Sequence, residues 1–145
     1  MFLYDPDDRS FELLYEDDTY DVGGPTGGCR TAIGGASIDE KTNELIYVAY
    51  YGEKPVRIFF DEDVQATNDM LEGAFPDQIV RPITWNKDRS KVVVSVSSSN
   101  NPGEYYYFDK ENMILTFLWD RSPWLDRSKL SKMTAIKYTA RDGLE

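Results

Sequence analysis

One short unit recurs along this chain and limits what it can fold into: an aromatic residue, then Asp, a polar turn and a second apolar strand. Tyr4-Asp5-Pro6-Asp7-Asp8-Arg9 leads into Phe11-Glu12-Leu13-Leu14-Tyr15-Glu16. Phe108-Asp109-Lys110-Glu111-Asn112 leads into Ile114-Leu115-Thr116-Phe117-Leu118-Trp119-Asp120, aligning with the first copy without a gap at an offset of 104 positions. Phe60-Asp61-Glu62-Asp63, closing the run Val56-Arg57-Ile58-Phe59-Phe60, is a third copy, which makes the spacings 56 and 48. A second pair keeps the same period. Ile38-Asp39-Glu40-Lys41-Thr42-Asn43-Glu44-Leu45-Ile46-Tyr47-Val48 resembles Trp85-Asn86-Lys87-Asp88-Arg89-Ser90-Lys91-Val92-Val93-Val94-Ser95 at an offset of 47.

A period of about 40 to 50 residues with four strands in each is the length of a propeller blade. The expected fold class is therefore all-β, an incomplete β-propeller fragment of about two and a half four-stranded antiparallel blades. Residues 1–16 read as the outer strands of one blade, 17–29 as a glycine-rich loop between blades, and 30–75 and 76–125 as the second and third blades. In the last of these the strands are expected at Ile79 to Trp85, Lys91 to Ser97, Glu104 to Phe108 and Ile114 to Trp119, with Ser98-Ser99-Asn100-Asn101-Pro102-Gly103 as a connecting loop. The one helical candidate is Gln65 to Gly73, with Val64, Met70 and Leu71 as its apolar members. Ten Tyr, seven Phe and three Trp suit half-buried pleated surfaces and favour the β reading.

Charge and residue counts then exclude several functions. Sixteen basic against twenty-six acidic residues leave a net charge of -10, which repels nucleic acid and anionic membranes. No apolar run is long enough to span a bilayer as a helix, and the opening Met1 to Asp8 lacks the basic and apolar regions of a signal peptide. A cytoplasmic setting is accordingly expected ahead of a periplasmic one, although a leader on a longer parent protein would not register here. Cys29 is the only cysteine, too few for an internal disulfide or a cysteine zinc site. The chain has no His, so a Ser-His-Asp triad and histidine-based zinc chemistry are both impossible within it.

The remaining motifs resolve into ordinary structure. Gly23-Gly24-Pro25-Thr26-Gly27-Gly28 could present backbone N–H groups to a phosphate, but no Gly-Lys-Ser/Thr follows. Gly35-Ala36-Ser37-Ile38-Asp39 approaches a nucleophile elbow, with Asp39 in place of the second Gly, so Ser37 reads as a strand serine, and Ser95 to Ser99 as strand end and loop. The acidic clusters Asp5 to Asp8, Glu16-Asp17-Asp18 and Asp61-Glu62-Asp63 lack the spacing of a calcium loop and read as solvated turns. Tyr105-Tyr106-Tyr107-Phe108, Trp119 and Trp124 could stack on sugars or peptides, yet alternation along a strand commits about half of the tyrosines to packing. No pair of carboxylates is singled out for glycoside hydrolysis.

The C-terminal stretch Leu130-Ser131-Lys132-Met133-Thr134-Ala135-Ile136-Lys137-Tyr138-Thr139-Ala140-Arg141-Asp142-Gly143-Leu144-Glu145 resembles the junction of prolyl oligopeptidase family serine peptidases, especially acylaminoacyl peptidase-like and dipeptidyl peptidase-like members. There a strand much like Ile136 to Gly143 leads out of the propeller and opens the α/β-hydrolase domain. Asp120-Arg121-Ser122-Pro123-Trp124-Leu125 likewise resembles that family's exit from its last blade. The resemblance implies that 126–145 is a junction toward a hydrolase domain beyond Glu145, and that the propeller filters peptide access to an active site there. The family's catalytic Ser, Asp and His lie past this junction, so no catalytic, cofactor, metal or substrate-binding residue is assigned in this chain. The expected partners are the parent's own hydrolase domain, its peptide substrates and, through uncovered blade faces, further copies of the chain. The rival expectations are a stand-alone propeller-repeat module that binds a protein, similar to the periplasmic Tol-system type, and an enzyme working with carboxylates alone. The tail separates the first two: a blade strand pairs within a sheet, whereas a junction leaves it.

Overall fold

The computed structural model describes residues 1–20, 22, 35–39, 41–52, 54–136 and 138–143, and divides the chain into two compact units, 1–66 and 67–145. The described residues are mostly β, in three antiparallel sheets of two, three and four strands, none of them closed, with one α-helix among them. Gly23 to Gly28 and Cys29 lie outside the described residues.

In the first unit β1 (Phe2–Asp5) and β2 (Ser10–Leu13) form a hairpin in register Phe2 to Leu13 and Asp5 to Ser10. Asp5 Oδ1 accepts the Asp7 N–H at 2.8 Å, Asp8 Oδ1 accepts the Ser10 N–H at 2.8 Å, and Arg9 closes the turn at φ 57°. β3 (Gly35–Ile38), β4 (Leu45–Tyr51) and β5 (Pro55–Phe59) make the three-stranded sheet, with β4 central and Val48, Ala49 and Tyr50 buried along it. The β3–β4 turn repeats the same device: Asp39 Oδ1 accepts the Lys41 N–H at 2.7 Å, and Asn43 turns the chain at φ 59°.

The second unit is dominated by a four-stranded meander, β6 (Ile79–Trp85), β7 (Lys91–Ser98), β8 (Asn101–Asp109) and β9 (Ile114–Asp120), in the order β6-β7-β8-β9. These strands fall where the sequence places them. The expected loop 98–103 is shorter in fact: Ser98 pairs with Asn101, only Ser99 and Asn100 turn, and the ladder shifts register between Val96 and Ser98. A bulge accommodates Pro102, which has no N–H for a regular ladder, and Gly103 at φ 140°. One face of this sheet carries Val80, Val92, Val94, Val96 and Phe108, all buried with Leu71, while Phe75, Trp85 and Tyr106 pack around them.

The second sheet departs from a four-stranded blade. Among the described residues of 30–75 there are three strands followed by α1 (Glu62–Ala74), which begins three residues before the helix expected from the sequence. The cause is the third copy of the aromatic-Asp unit. Asp61 Oδ1 accepts the N–H groups of Asp63 and Val64, each at 3.0 Å, so the side chain that elsewhere closes a hairpin turn here caps a helix. Glu62 and Asp63 then sit in the first turn, where the helix dipole favours them. The inward stripe is Val64, Thr67, Asn68 and Leu71, spaced i, i+3, i+4 and i+7, whereas Met70 is exposed.

Leu71 is 1% exposed at the centre of the core cluster. Leu71→Ala is expected to lower unfolding free energy by about 2–5 kcal/mol, and since Ala is the better helix former the loss reports packing. Met70→Ala is expected to stay within about 0.5 kcal/mol. Urea unfolding followed by circular dichroism measures both; equal effects would remove Leu71 from the core.

Candidate functional site

The structure disperses the motifs that the sequence offered as chemistry. Ser37 lies on β3 opposite Tyr47, at a register shift in the ladder rather than on a strand-to-helix elbow. Ser95 and Ser98 lie on β7, and Ser99 sits in the turn, where its Oγ accepts the Met133 N–H at 3.0 Å. Asp5 to Asp8 form the first hairpin turn, and Asp61 to Asp63 the start of α1. Among the described residues no group of three His, Cys, Asp or Glu side chains converges as metal ligands, and no helix is long and apolar enough to cross a membrane.

Asp17 belongs to a tighter arrangement. The Tyr50 hydroxyl donates to Asp17 Oδ2 at 2.7 Å and lies 3.1 Å from the Tyr15 hydroxyl, while Asp17 Oδ1 accepts the N–H groups of Thr19 and Tyr20 at 2.9 and 3.0 Å. The Tyr50 hydrogen bond, helped by the two backbone donors, holds the Asp17 carboxyl below the usual carboxylate range. The hydrogen bonds to Tyr15 and Asp17, together with burial, push the Tyr50 phenol far above its ordinary value. Tyr20 then packs its ring over Gly52, where a Cβ would come within 3.2 Å of it. The cluster ties the segment after β2 to the central strand of the three-stranded sheet.

The aromatic run divides as the pleat requires. Tyr106 points to the core side, 4.7 Å from Phe75 and 5.5 Å from Phe117 between ring centroids. Tyr105 points the other way and stacks on Trp119 at 4.3 Å and 19°. The register shift beside Tyr105 and Tyr106 makes Leu118 an extra residue on β9, so that Phe117 and Trp119 pair with adjacent β8 residues and face opposite sides. Phe117 and Trp119 remain 52% and 50% exposed, and Trp124 80%. β9 is thus an edge strand with apolar side chains open on both faces. The hairpin β1–β2 is similarly open, with Phe2, Leu3, Tyr4, Phe11 and Leu13 exposed.

The sequence reading missed a line of polar side chains across one end of the four-stranded sheet. Glu104 and Asp120 are directly opposite each other on β8 and β9, and Arg127 bridges them: Nη1 to Glu104 Oε1 at 2.8 Å, Nη2 to Asp120 Oδ2 at 2.5 Å. Tyr106 donates to Glu104 Oε2 at 3.1 Å, and the buried Asn101 donates from Nδ2 to Gln78 Oε1 at 2.6 Å and, more distantly, to Glu104 Oε2 at 3.4 Å. Burial, then the Glu104 charge, raise the Tyr106 phenol above its ordinary value. One signal for this line was present in the sequence: Glu104 shares its strand face with Tyr106 and Phe108, and an acid at an inward position requires a cation or donors.

Comparison with protein-family models, with curated proteins and with solved structures gave no match. What the geometry offers is ordered tyrosine and carboxylate contacts that fix loops, and apolar strand surfaces open to solvent.

Removing the Tyr50 hydroxyl tests the first of these. In the folded chain the Asp17 value is depressed, so its stabilising contribution is fully present above the unfolded carboxylate value, about 3.9, and is lost as pH falls through the lower folded value. In Tyr50→Phe the Asp17 carboxyl is expected to titrate closer to the ordinary range by carbon-detected NMR. The stability difference from wild type is expected to be largest at neutral pH and to shrink under acid. A difference independent of pH would show that the hydroxyl does not act through Asp17.

Proposed function

We propose that this chain is a non-catalytic part of the β-propeller of a prolyl oligopeptidase-type serine peptidase, of acylaminoacyl or dipeptidyl peptidase kind, where it narrows the path of peptides toward an active site carried elsewhere in the protein. The observation that carries this reading is the course of the chain after β9. Residues 121–136 contain one short 3-10 turn, Arg127–Lys129, and no strand; Met133, Ile136 and Tyr138 are exposed. A further blade strand would pair into a sheet, whereas this segment adds no strand, crosses the end of the meander as far as Met133 and then carries Ile136 and Tyr138 uncovered, which fits a junction with another folded domain. The four-stranded antiparallel meander has the strand order of a blade, and the apolar side chains open on both faces of β9 are what neighbouring blades would cover.

On this reading the chemistry, attack of a serine hydroxyl on the scissile carbonyl with a histidine as base, belongs to residues outside the chain, which has no His of its own. It calls for no cofactor. The contribution of the present residues is steric: a rigid wall of sheet that admits small or extended peptides.

Three measurements test the proposal. The purified 145-residue chain is expected to release no p-nitroaniline from acyl-amino-acid or dipeptidyl p-nitroanilides; enzyme-dependent release would end the non-catalytic assignment. The reading frame after the codon for Glu145 is expected to continue into a Gly-x-Ser-x-Gly segment with Asp and His downstream, and an immediate stop codon would instead favour a stand-alone binding module. The isolated chain is expected to self-associate through its open strand surfaces, giving a mass above 16.7 kDa that rises with concentration in analytical ultracentrifugation. A monomer at all concentrations would mean that these surfaces need no cover.

A further inference from the structure

Glu104 and Asp120 stand opposite each other on neighbouring antiparallel strands, an arrangement that is unfavourable for two carboxylates, in a chain that already carries a net charge of -10. The cation that relieves it comes from beyond the sheet. After β9 the Arg121 N–H donates to the Gly103 carbonyl at 2.9 Å, and the Arg121 side chain lies beside Gly103. Ser122 N–H donates to Asp120 Oδ1 at 2.7 Å, Leu125 N–H to the Ser122 carbonyl at 3.0 Å, and Asp126 caps the 3-10 turn through Ser128 N–H at 3.1 Å. These contacts fold the segment back so that Arg127 reaches both acids with separate nitrogens.

The segment continues across the same end of the sheet. The end of β9, the start of β8, the end of β7 and the start of β6 lie together there, because the four strands alternate in direction. Beyond Arg127, the Met133 N–H reaches Ser99 Oγ in the β7–β8 turn, and Lys132 Nζ lies 3.6 Å from Asp77, two residues before β6. The Lys132–Asp77 pair is widely exposed and contributes little by itself. Arg127 is only about one-third exposed and binds two carboxylates.

We propose that residues 121–133 form a strap across this end of the four-stranded sheet, and that Arg127 is the latch that holds it. Release of the latch frees the strap from about Ser122 onward and re-aims the chain that follows, while the valine-lined sheet stays folded. Arg127 is a positioning residue, and this role stands whether or not the peptidase reading does.

Hydrogen exchange of the full chain, read by NMR or mass spectrometry, tests the latch at the amides of Leu125, Lys129, Leu130 and Met133 against those of Val92, Val94 and Val96. In Arg127→Gln the strap amides are expected to exchange about tenfold faster while the β7 amides change less than about twofold. Arg127→Lys, which keeps the charge but loses the two-nitrogen reach, is expected to fall between wild type and Arg127→Gln. If Arg127→Gln does not fold, the wild-type chain moved from about 0.1 M to about 1 M salt supplies the same comparison, with selective acceleration of the strap expected as the ion pairs are screened. Strap exchange unchanged in the variant or in salt, or equal acceleration of strap and β7, would overturn the latch.

Discussion

The valine column on β7 is the constraint on which the second unit rests. Val92, Val94 and Val96 are all but fully buried, on a strand with a partner on each side, and they set the register of everything beside them. A slip of one residue on β7 would turn these side chains to the other face and bring Val93, Ser95 and Ser97 inward. Leu71 from α1 and Phe108 from β8 complete the same cluster. Branching at Cβ stiffens each valine in the extended conformation, which joins local preference to burial.

A second economy is the repeated use of one polar side chain to end an element. Asp5, Asp39 and Asp109 each accept a backbone N–H two or three residues ahead, and Asn86 accepts from Lys91 across its turn. Arg9, Asn43, Arg89 and Met113 then take up positive φ just before the next strand. Such turns were legible because spacing and residue type both announce them, and the strands β6 to β9 could be bounded from their flanks. Asp61 shows where this legibility ends. It makes the same bond to the backbone, and only the downstream pattern distinguishes its role. After Asp5 or Asp109 the apolar residues recur at a period suited to a strand; after Asp61 the buried positions are Val64, Thr67, Asn68 and Leu71. Two of these four are polar, so a search for apolar side chains selects Met70, which is exposed, and passes over Thr67 and Asn68.

The Arg127 bridge was hidden for a different reason. Its partners lie 23 and seven positions away, and their meeting depends on the cross-strand register of Glu104 with Asp120 and on the fold-back at Ser122 to Leu125. Neither is fixed by local sequence. What local sequence does contain is the anomaly itself, an acid in line with Tyr106 and Phe108. An inward carboxylate predicts that a cation exists, but not from where in the chain it comes.

The two long edges of the four-stranded sheet differ in how they are protected. Natural edge strands are ordinarily kept from pairing by charge, proline or a bulge that turns them aside. β6 carries Pro82 and a register shift beside it, and so has two of these devices. β9 has one shift, but from Ile114 to Trp119 it has no charged residue, and its apolar side chains open to both faces. In a chain where 29% of residues are charged, an outer strand uncharged from Ile114 to Trp119 is a local exception to the surface around it. The apolar area at Phe117 and Trp119 gains nothing from water, so β9 is the edge of this meander that burial would favour most. The strap leaves from the same strand, which brings the uncovered edge and the chain that departs from it to one corner of the fold.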